Sequence, residues 1–178
     1  MMQRKPITII LLVLSVLFFG FGLPKNIQNK VKKEIEKVFE TTVFDMEPIM
    51  VSSGLNKKLP AKISDDNFYR LHNSGEILGY AFVDKAPSKT AQFDYLVIFD
   101  TDLRVIHSKV LVYREEYGGE IGSRRWLKQF LGKTAGDRVD HETNIDAISG
   151  ATISVRSMTR SMDKLFQTIE LLQQNKLL

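Results

Sequence analysis

An α+β fold, an antiparallel sheet of two hairpins with helices on one face, is what this sequence predicts, and three observations predict it. Short apolar runs occur in pairs through the middle of the chain, each pair joined by a turn signal. A short helical pattern and then a long one follow these runs, the order expected when helices and strands segregate. Ahead of both lie a charge-free apolar segment and an amphipathic stretch, read as one transmembrane helix and a stalk helix. The chain thus divides into a membrane anchor or signal peptide at 1–24, an amphipathic juxtamembrane helix at 25–45 and a folded domain at 46–178.

Ile7 to Leu23 contains no charged side chain, is bounded by Pro6 and Pro24, and follows Arg4 and Lys5. Spanning a bilayer takes roughly 17–25 such residues, so the run just suffices. A cleaved signal peptide is the competing reading, supported by the basic start and the small-x-small site Gly20-Phe21-Gly22. The run is long for a signal peptide and lacks Ala-x-Ala, which favours the uncleaved anchor. Lysines after Leu23 outnumber the basic residues before it, so charge alone would place the domain in the cytoplasm.

From Asn26 to Thr41 the residues Ile27, Val31, Ile35, Val38 and Phe39 share one helical face, with Lys and Glu on the others. Its lysines, Lys25, Lys30, Lys32, Lys33 and Lys37, are placed to meet lipid headgroups. Residues 42–63 read as irregular, with a candidate strand near Val43 to Phe44. Asn67 to His72 and Ile77 to Val83 flank Asn73-Ser74-Gly75-Glu76 as a first hairpin; Tyr95 to Asp100 and Arg104 to Arg114 flank Asp100-Thr101-Asp102 as a second. Lys85 to Gln92, with Pro87, reads as the loop between them. Trp126, Leu127 and Phe130 mark a short helix. Val155, Met158, Met162, Leu165, Phe166, Ile169 and Leu172 then form the apolar stripe of a long one, beside a polar face of Arg156, Thr159, Arg160, Asp163, Lys164 and Gln167.

Composition removes several function classes. The 178 residues suffice for one well-buried domain with appendages and show no internal repeat. The absence of Cys excludes disulfides, iron–sulfur clusters, thiolate zinc sites and a Cys nucleophile. Net charge is +4, but residues 1–40 carry seven Lys/Arg against three Asp/Glu while residues 41–178 carry eighteen of each. The neutral folded part argues against nucleic acid as a partner. His72, His107 and His141 lie on a turn, a strand and a loop without metal-ligand spacing, and no nucleotide-binding fingerprint or Gly-x-Ser-x-Gly elbow occurs.

The most informative stretch is Ser149-Gly150-Ala151-Thr152, which follows Asp146 and opens the long helix. Unpaired backbone N–H groups and the positive end of the helix dipole make such a mouth an anion site, and Thr152 would place a hydroxyl beside a bound phosphate. The plain alternative is a helix cap formed by Ser149 or Thr152. Upstream, Arg114-Glu115-Glu116-Tyr117-Gly118-Gly119-Glu120-Ile121-Gly122 and the run Trp126 to Lys133 offer glycines that let the backbone approach a flat ligand and aromatics to wall it.

Asp146-x-x-Ser149-Gly150-Ala151-Thr152-x-Ser154, with the acidic Gly-bearing turn and the Gln129-Phe130-Leu131-Gly132-Lys133 run in the same order before it, resembles the FMN-binding domain family. That family includes the flavin-bearing components of the sodium-translocating NADH:quinone reductase and of the Rnf electron-transport complex. The resemblance covers roughly 68–172, the size of one compact domain. It implies FMN attached covalently through a phosphoester to Thr152, with Asp146, Ser149, Gly150, Ala151 and Ser154 forming the sequence around the acceptor. A Glu-Glu-Tyr-Gly-Gly turn stands where the respiratory members have Glu-Thr-Pro-Gly, so either Glu115 or Glu116 is the equivalent acid. Tyr117, Gly118, Gly119 and Trp126 are expected around the flavin, and Phe130 in the core.

The resulting expectation is a membrane-anchored electron carrier passing electrons between redox partner proteins in the membrane, as one component of a respiratory complex rather than a stand-alone enzyme. No His neighbours Thr152 in sequence to activate its hydroxyl. The resemblance therefore implies maturation by a separate, magnesium-using FAD:protein FMN transferase. It also implies a single-pass protein of the bacterial inner membrane, its domain facing the periplasm. The alternatives are an anchored flavin-dependent reductase of a small molecule, for which no convincing acid/base pair is present, and a non-redox extracytoplasmic binding module.

Overall fold

The computed structural model describes residues 22–178. Its centre is a sheet of β1 (Asp45–Pro48), β2 (Phe68–Asn73), β3 (Glu76–Pro87), β4 (Gln92–Phe99) and β5 (Val105–Val112). Neighbours in the order β1-β2-β3-β4-β5 all pair antiparallel, a simple meander. Both expected hairpins are present. Ser74 (φ 51°) and Gly75 (φ 88°) both take positive φ, the twist that a two-residue hairpin turn needs. In the second hairpin the Asp100 carboxylate accepts from the backbone N–H of Asp102 and Arg104.

Three boundaries differ from the sequence reading. The strand expected near Val43 to Phe44 is β1, two residues later, and it pairs with β2 to extend the two hairpins to five strands. Lys85 to Pro87 continue β3, because Pro87 occupies the last ladder position, opposite Gln92, where a missing N–H costs least. The connecting loop shrinks to residues 88–91, closed by Ser88 N–H to the Ala91 carbonyl at 2.9 Å.

The α+β class holds, but the helices cover both faces of the sheet, not one. On one face α4 (Thr152–Gln174) buries Val155, Met158, Met162, Leu165, Phe166, Ile169 and Leu172 against Phe68, Phe82, Tyr95, Val97 and Phe99. On the other, α1 (Lys25–Phe39) buries Ile27, Val31 and Ile35 against Tyr69, Leu71, Ala81, Val83, Leu96 and Ile98. The amphipathic stripe expected to make a stalk is therefore a layer of the fold. Its apolar face needs an apolar partner, and the second face of the sheet supplies one. Lys30, expected at lipid, donates instead to the Leu111 carbonyl at 2.8 Å. Most of the Ile7 to Leu23 segment lies outside the described residues, and among the described residues no helix is long and apolar enough to cross a membrane.

Between β1 and β2, α2 (Ser53–Asn56) is a single turn capped by Ser52. After β5, one 3₁₀ turn (Gly119–Gly122) and α3 (Arg124–Leu127) lead to the loop that ends at α4.

Candidate functional site

The first turn of α4 is where sequence and structure converge. Ala151 is its N-cap, with φ −117° and ψ 20°, and no side chain caps the helix. The cap reading of Ser149 or Thr152 is thus not realised; the Ala151 carbonyl simply begins the helix by accepting from Val155 N–H at 2.9 Å. No acidic residue lies in this turn either, so the positive end of a 23-residue helix meets no negative side chain of its own first turn. Gly150, at φ +80°, turns the chain into the helix. Ala151 and Ser154 point inward and are buried, while Ser149, Gly150 and Thr152 face solvent.

The facing wall is built by Tyr113 at the end of β5 and the turn after it. The Tyr113 hydroxyl donates to the Tyr117 carbonyl at 3.0 Å and stands 3.0 Å from Ser154 Oγ, which must then be the donor in that second bond. Gly118 (φ +85°) lies so close that a Cβ there would meet Tyr113 Oη at 2.7 Å and the Ala151 Cβ at 3.3 Å. Glycine is required here both by its φ and by the approach of the turn to the helix mouth. Between wall and helix opens a cleft of about 700 Å³, lined by Lys89, Thr90, Glu115, Glu116 and Tyr117 on one side and Thr152 and Ile153 on the other. Tyr117 is 76% exposed and Ile153 50%, so the cleft presents apolar surface to solvent.

Of the two candidate acids, Glu115 holds the rim. Its carboxylate accepts from Thr90 N–H at 2.6 Å, Thr90 Oγ1 at 3.2 Å and Ala91 N–H at 3.3 Å. The nearby Ser88 side chain first, then the donors of Thr90 and Ala91, favour the charged form and pull its pKa down to about 2, so it is ionised at neutral pH. Ser157 Oγ, one turn into α4, donates to the Pro87 carbonyl and holds the same loop from below. Glu116 is exposed at the cleft.

Gly118 packs behind Tyr113 and Ala151 and Gly119 begins the 3₁₀ turn; neither lines the cleft, and nor does Trp126. Trp126 is 4% exposed and packs edge-on against Phe130, with ring centroids 5.4 Å apart, in the core. Its reach toward the site is indirect: Nε1 donates to the Asp146 carbonyl at 2.8 Å, while Asp146 N–H donates to Gln129 Oε1 at 2.7 Å. Both backbone groups of Asp146 are held from the α3 region, and its exposed carboxylate is left free. Phe130 is buried, as expected.

Sequence reasoning missed Tyr113, Lys89, Thr90 and Ile153. Tyr113 carried a signal, an aromatic with a polar tip at the end of a strand; Lys89 and Thr90 reach the cleft only because Glu115 and Ser157 fold their loop onto it. The three histidines are structural, each near a Glu: His72 with Glu47, His107 with Glu34 and His141 with Glu142. Among the described residues no His/Cys/Asp/Glu cluster could hold a metal. The arrangement offers an anion seat, an exposed hydroxyl on that seat and an apolar wall, with no His beside Thr152 to serve as its base.

Residues 90–167 match the FMN-binding domain family, a span that contains the Lys89–Ala91 loop from Thr90 onward, the Tyr113–Gly118 wall and the first turns of α4. The crystal structure of Shewanella oneidensis NqrC has a similar fold, with a TM-score of 0.53 and 14% identity over 83% of this chain and 99% of that one. None of the curated proteins matches the chain.

Proposed function

We propose that this chain, whose residues 90–167 match the FMN-binding domain family, is an electron carrier holding FMN by a phosphoester to Thr152 Oγ and serving a respiratory electron-transport complex at the membrane. The observation that carries this reading is the exposed Thr152 hydroxyl on the uncapped N-terminus of α4, inside an open cleft.

The residues present fit the group. The helix mouth offers unpaired N–H donors and a favourable dipole to a phosphate. The cleft, about 700 Å³, lies within the roughly 300–1,000 Å³ of small-molecule sites. Tyr117 and Ile153 supply apolar surface for a planar ligand, and Gly118, packed against Tyr113 and Ala151, holds the turn that carries Tyr117. When bound, FMN supplies a ring that accepts and returns electrons. The chain's own part is to fix the phosphate end at Thr152, to support the wall through the Tyr113–Ser154 bond, and to set local charge through Lys89, Glu115 and Glu116. A wall exposed to solvent suits a carrier that must meet a partner protein.

Attachment joins Thr152 Oγ to the FMN phosphorus as the FAD pyrophosphate bond breaks; AMP leaves and takes up the hydroxyl proton. Glu115 is engaged with its loop and no His lines the cleft, so a separate FAD:protein FMN transferase performs the step. Asp146 and Ser149, both exposed, form the surface that enzyme reads.

The position of the chain's entry supports a membrane-embedded redox partner. Gly22 to Pro24 lie beside Val83, Asp84, Lys85 and Asp94, at the end of the sheet where β3 passes to β4. The loop joining those strands carries Lys89 and Thr90 to the cleft. With Ile7 to Leu23 as a single-pass anchor in the inner membrane and the domain in the periplasm, the cleft lies at the membrane-proximal end.

Co-expression with the transferase and magnesium should give a yellow protein whose colour survives denaturation, and Thr152→Ala should fold but stay colourless. A coloured, denaturation-stable Thr152→Ala protein would refute the assignment.

A further inference from the structure

A second cavity, of about 210 Å³, lies between α1, the edge strand β5 and the α3 segment, and shares no lining residue with the cleft at α4. Lys37, Lys109, Arg124 and Lys128 line it, against one carboxylate, Glu34. Among the described residues none of these four cations forms an ion pair. Glu34 is turned to His107, its Oε2 3.0 Å from Nε2, and burial holds the imidazole below its ordinary pKa, so the pair adds no positive charge at neutral pH. The cavity therefore gathers an excess of uncompensated positive charge, which a bound anion would relieve.

The cations sit on two walls. Lys109 stands two residues from His107 on β5 and so on the same face, and Lys37 stands three residues from Glu34 on α1, whose carboxylate meets that ring. Arg124 and Lys128 are four residues apart through α3 and the turn that continues it, which places them together on the opposite side. Between the walls lie Leu127 and the exposed apolar side chains of Ile106 and Leu131. A ligand suited to this has an anionic group at each end and a short apolar body. The volume of about 210 Å³, below the roughly 300–1,000 Å³ of drug-sized ligand sites, suits a small molecule.

We propose that this cavity is a binding site for a small aliphatic dicarboxylate, one carboxylate held by Lys37 and Lys109 and the other by Arg124 and Lys128. The site is independent of the flavin reading, since no residue is common to both.

The test uses the detergent-solubilised full chain, titrated calorimetrically at low ionic strength with succinate, with its neutral diamide and with inorganic phosphate. Succinate should bind saturably with a dissociation constant below about 1 mM, phosphate more weakly because it has no apolar body, and the diamide not at all. Lys109→Gln with Arg124→Gln, both surface changes whose folding is checked by an unchanged melting temperature, should weaken succinate binding at least about tenfold. In the protein with ¹⁵N-labelled histidine, succinate should move the ring resonances of His107 and leave those of His72 and His141. No saturable succinate binding, unchanged binding in the double variant, diamide or phosphate binding as tight as succinate, or an unmoved His107 would each overturn the proposal.

Discussion

Replacing Gly118 by Ala tests how the cleft is built. An alanine in the left-handed region costs roughly 1–2 kcal/mol, and Gly118 has φ +85°. The new Cβ would also stand 2.7 Å from Tyr113 Oη, a contact that must open, taking with it the bonds of that hydroxyl to the Tyr117 carbonyl and Ser154 Oγ. At about 1 kcal/mol net per hydrogen bond, this adds roughly 1–2 kcal/mol, for a total of about 2–4 kcal/mol. With a urea m-value on the order of 2 kcal/mol per molar, the unfolding midpoint should fall by about 1–2 M. The assay is urea unfolding of the FMN-free chain, followed by the fluorescence of Trp126, the single Trp. Gly132→Ala is the control: its φ is +77°, but nothing lies within 4 Å of the added Cβ, so only the backbone cost applies. Tyr113→Phe, which removes the clashing oxygen, should recover part of the Gly118→Ala loss in a double-mutant cycle. If Gly118→Ala costs no more than Gly132→Ala, the close packing of turn against helix mouth is not what holds the wall.

Three further outcomes follow from the same contacts. Trp126→Ala should cost about 3–5 kcal/mol of stability as a core truncation and leave the visible spectrum of the folded, flavin-loaded protein unchanged; a shifted spectrum would return Trp126 to the ring. Ile35→Ala should lower stability by about 2–5 kcal/mol in urea unfolding because α1 is a layer of the fold, whereas a stalk standing apart would give a change within about 0.5 kcal/mol. Glu115→Gln should lower the melting temperature at pH 7; because the folded pKa of Glu115 is depressed from 4.5 to about 2, the advantage of the native protein is complete above about 4.5 and disappears as pH falls toward 2. An advantage that persists unchanged at pH 2 would contradict the role assigned to this carboxylate.

How far the sequence could be read depended on what each pattern encodes. The α1 stripe of Ile27, Val31 and Ile35 announces that a helical face is covered but not by what, and its place after an apolar segment suggested a stalk. The answer was written in β4: Tyr95 to Phe99 is apolar without alternation, the pattern of a strand buried on both faces, with Tyr95, Val97 and Phe99 toward α4 and Leu96 and Ile98 toward α1. The hairpins were legible because positive-φ turn residues at Asn73-Ser74-Gly75-Glu76 are a local signal. At the site, Thr152 on the first turn of α4 follows directly from helical periodicity. Tyr113 and the Lys89–Thr90 loop could not be found that way, since long-range bonds from Ser154, Ser157 and Glu115 bring them there. Trp126 was placed by proximity to a glycine turn; its indole N–H instead serves the backbone of Asp146.

The most direct test of the central claim is a peptide mass map of the protein co-expressed with the transferase. Trypsin, cutting after Arg138 and Arg156, releases residues 139–156, which contain Thr143, Ser149, Thr152 and Ser154 as hydroxyl candidates. A phosphoester at Thr152 predicts that this peptide carries the mass of one FMN less one water and that its fragment ions place the increment on Thr152. An increment on Ser149, Ser154 or Thr143, or a peptide of unmodified mass from a protein purified yellow, would contradict it.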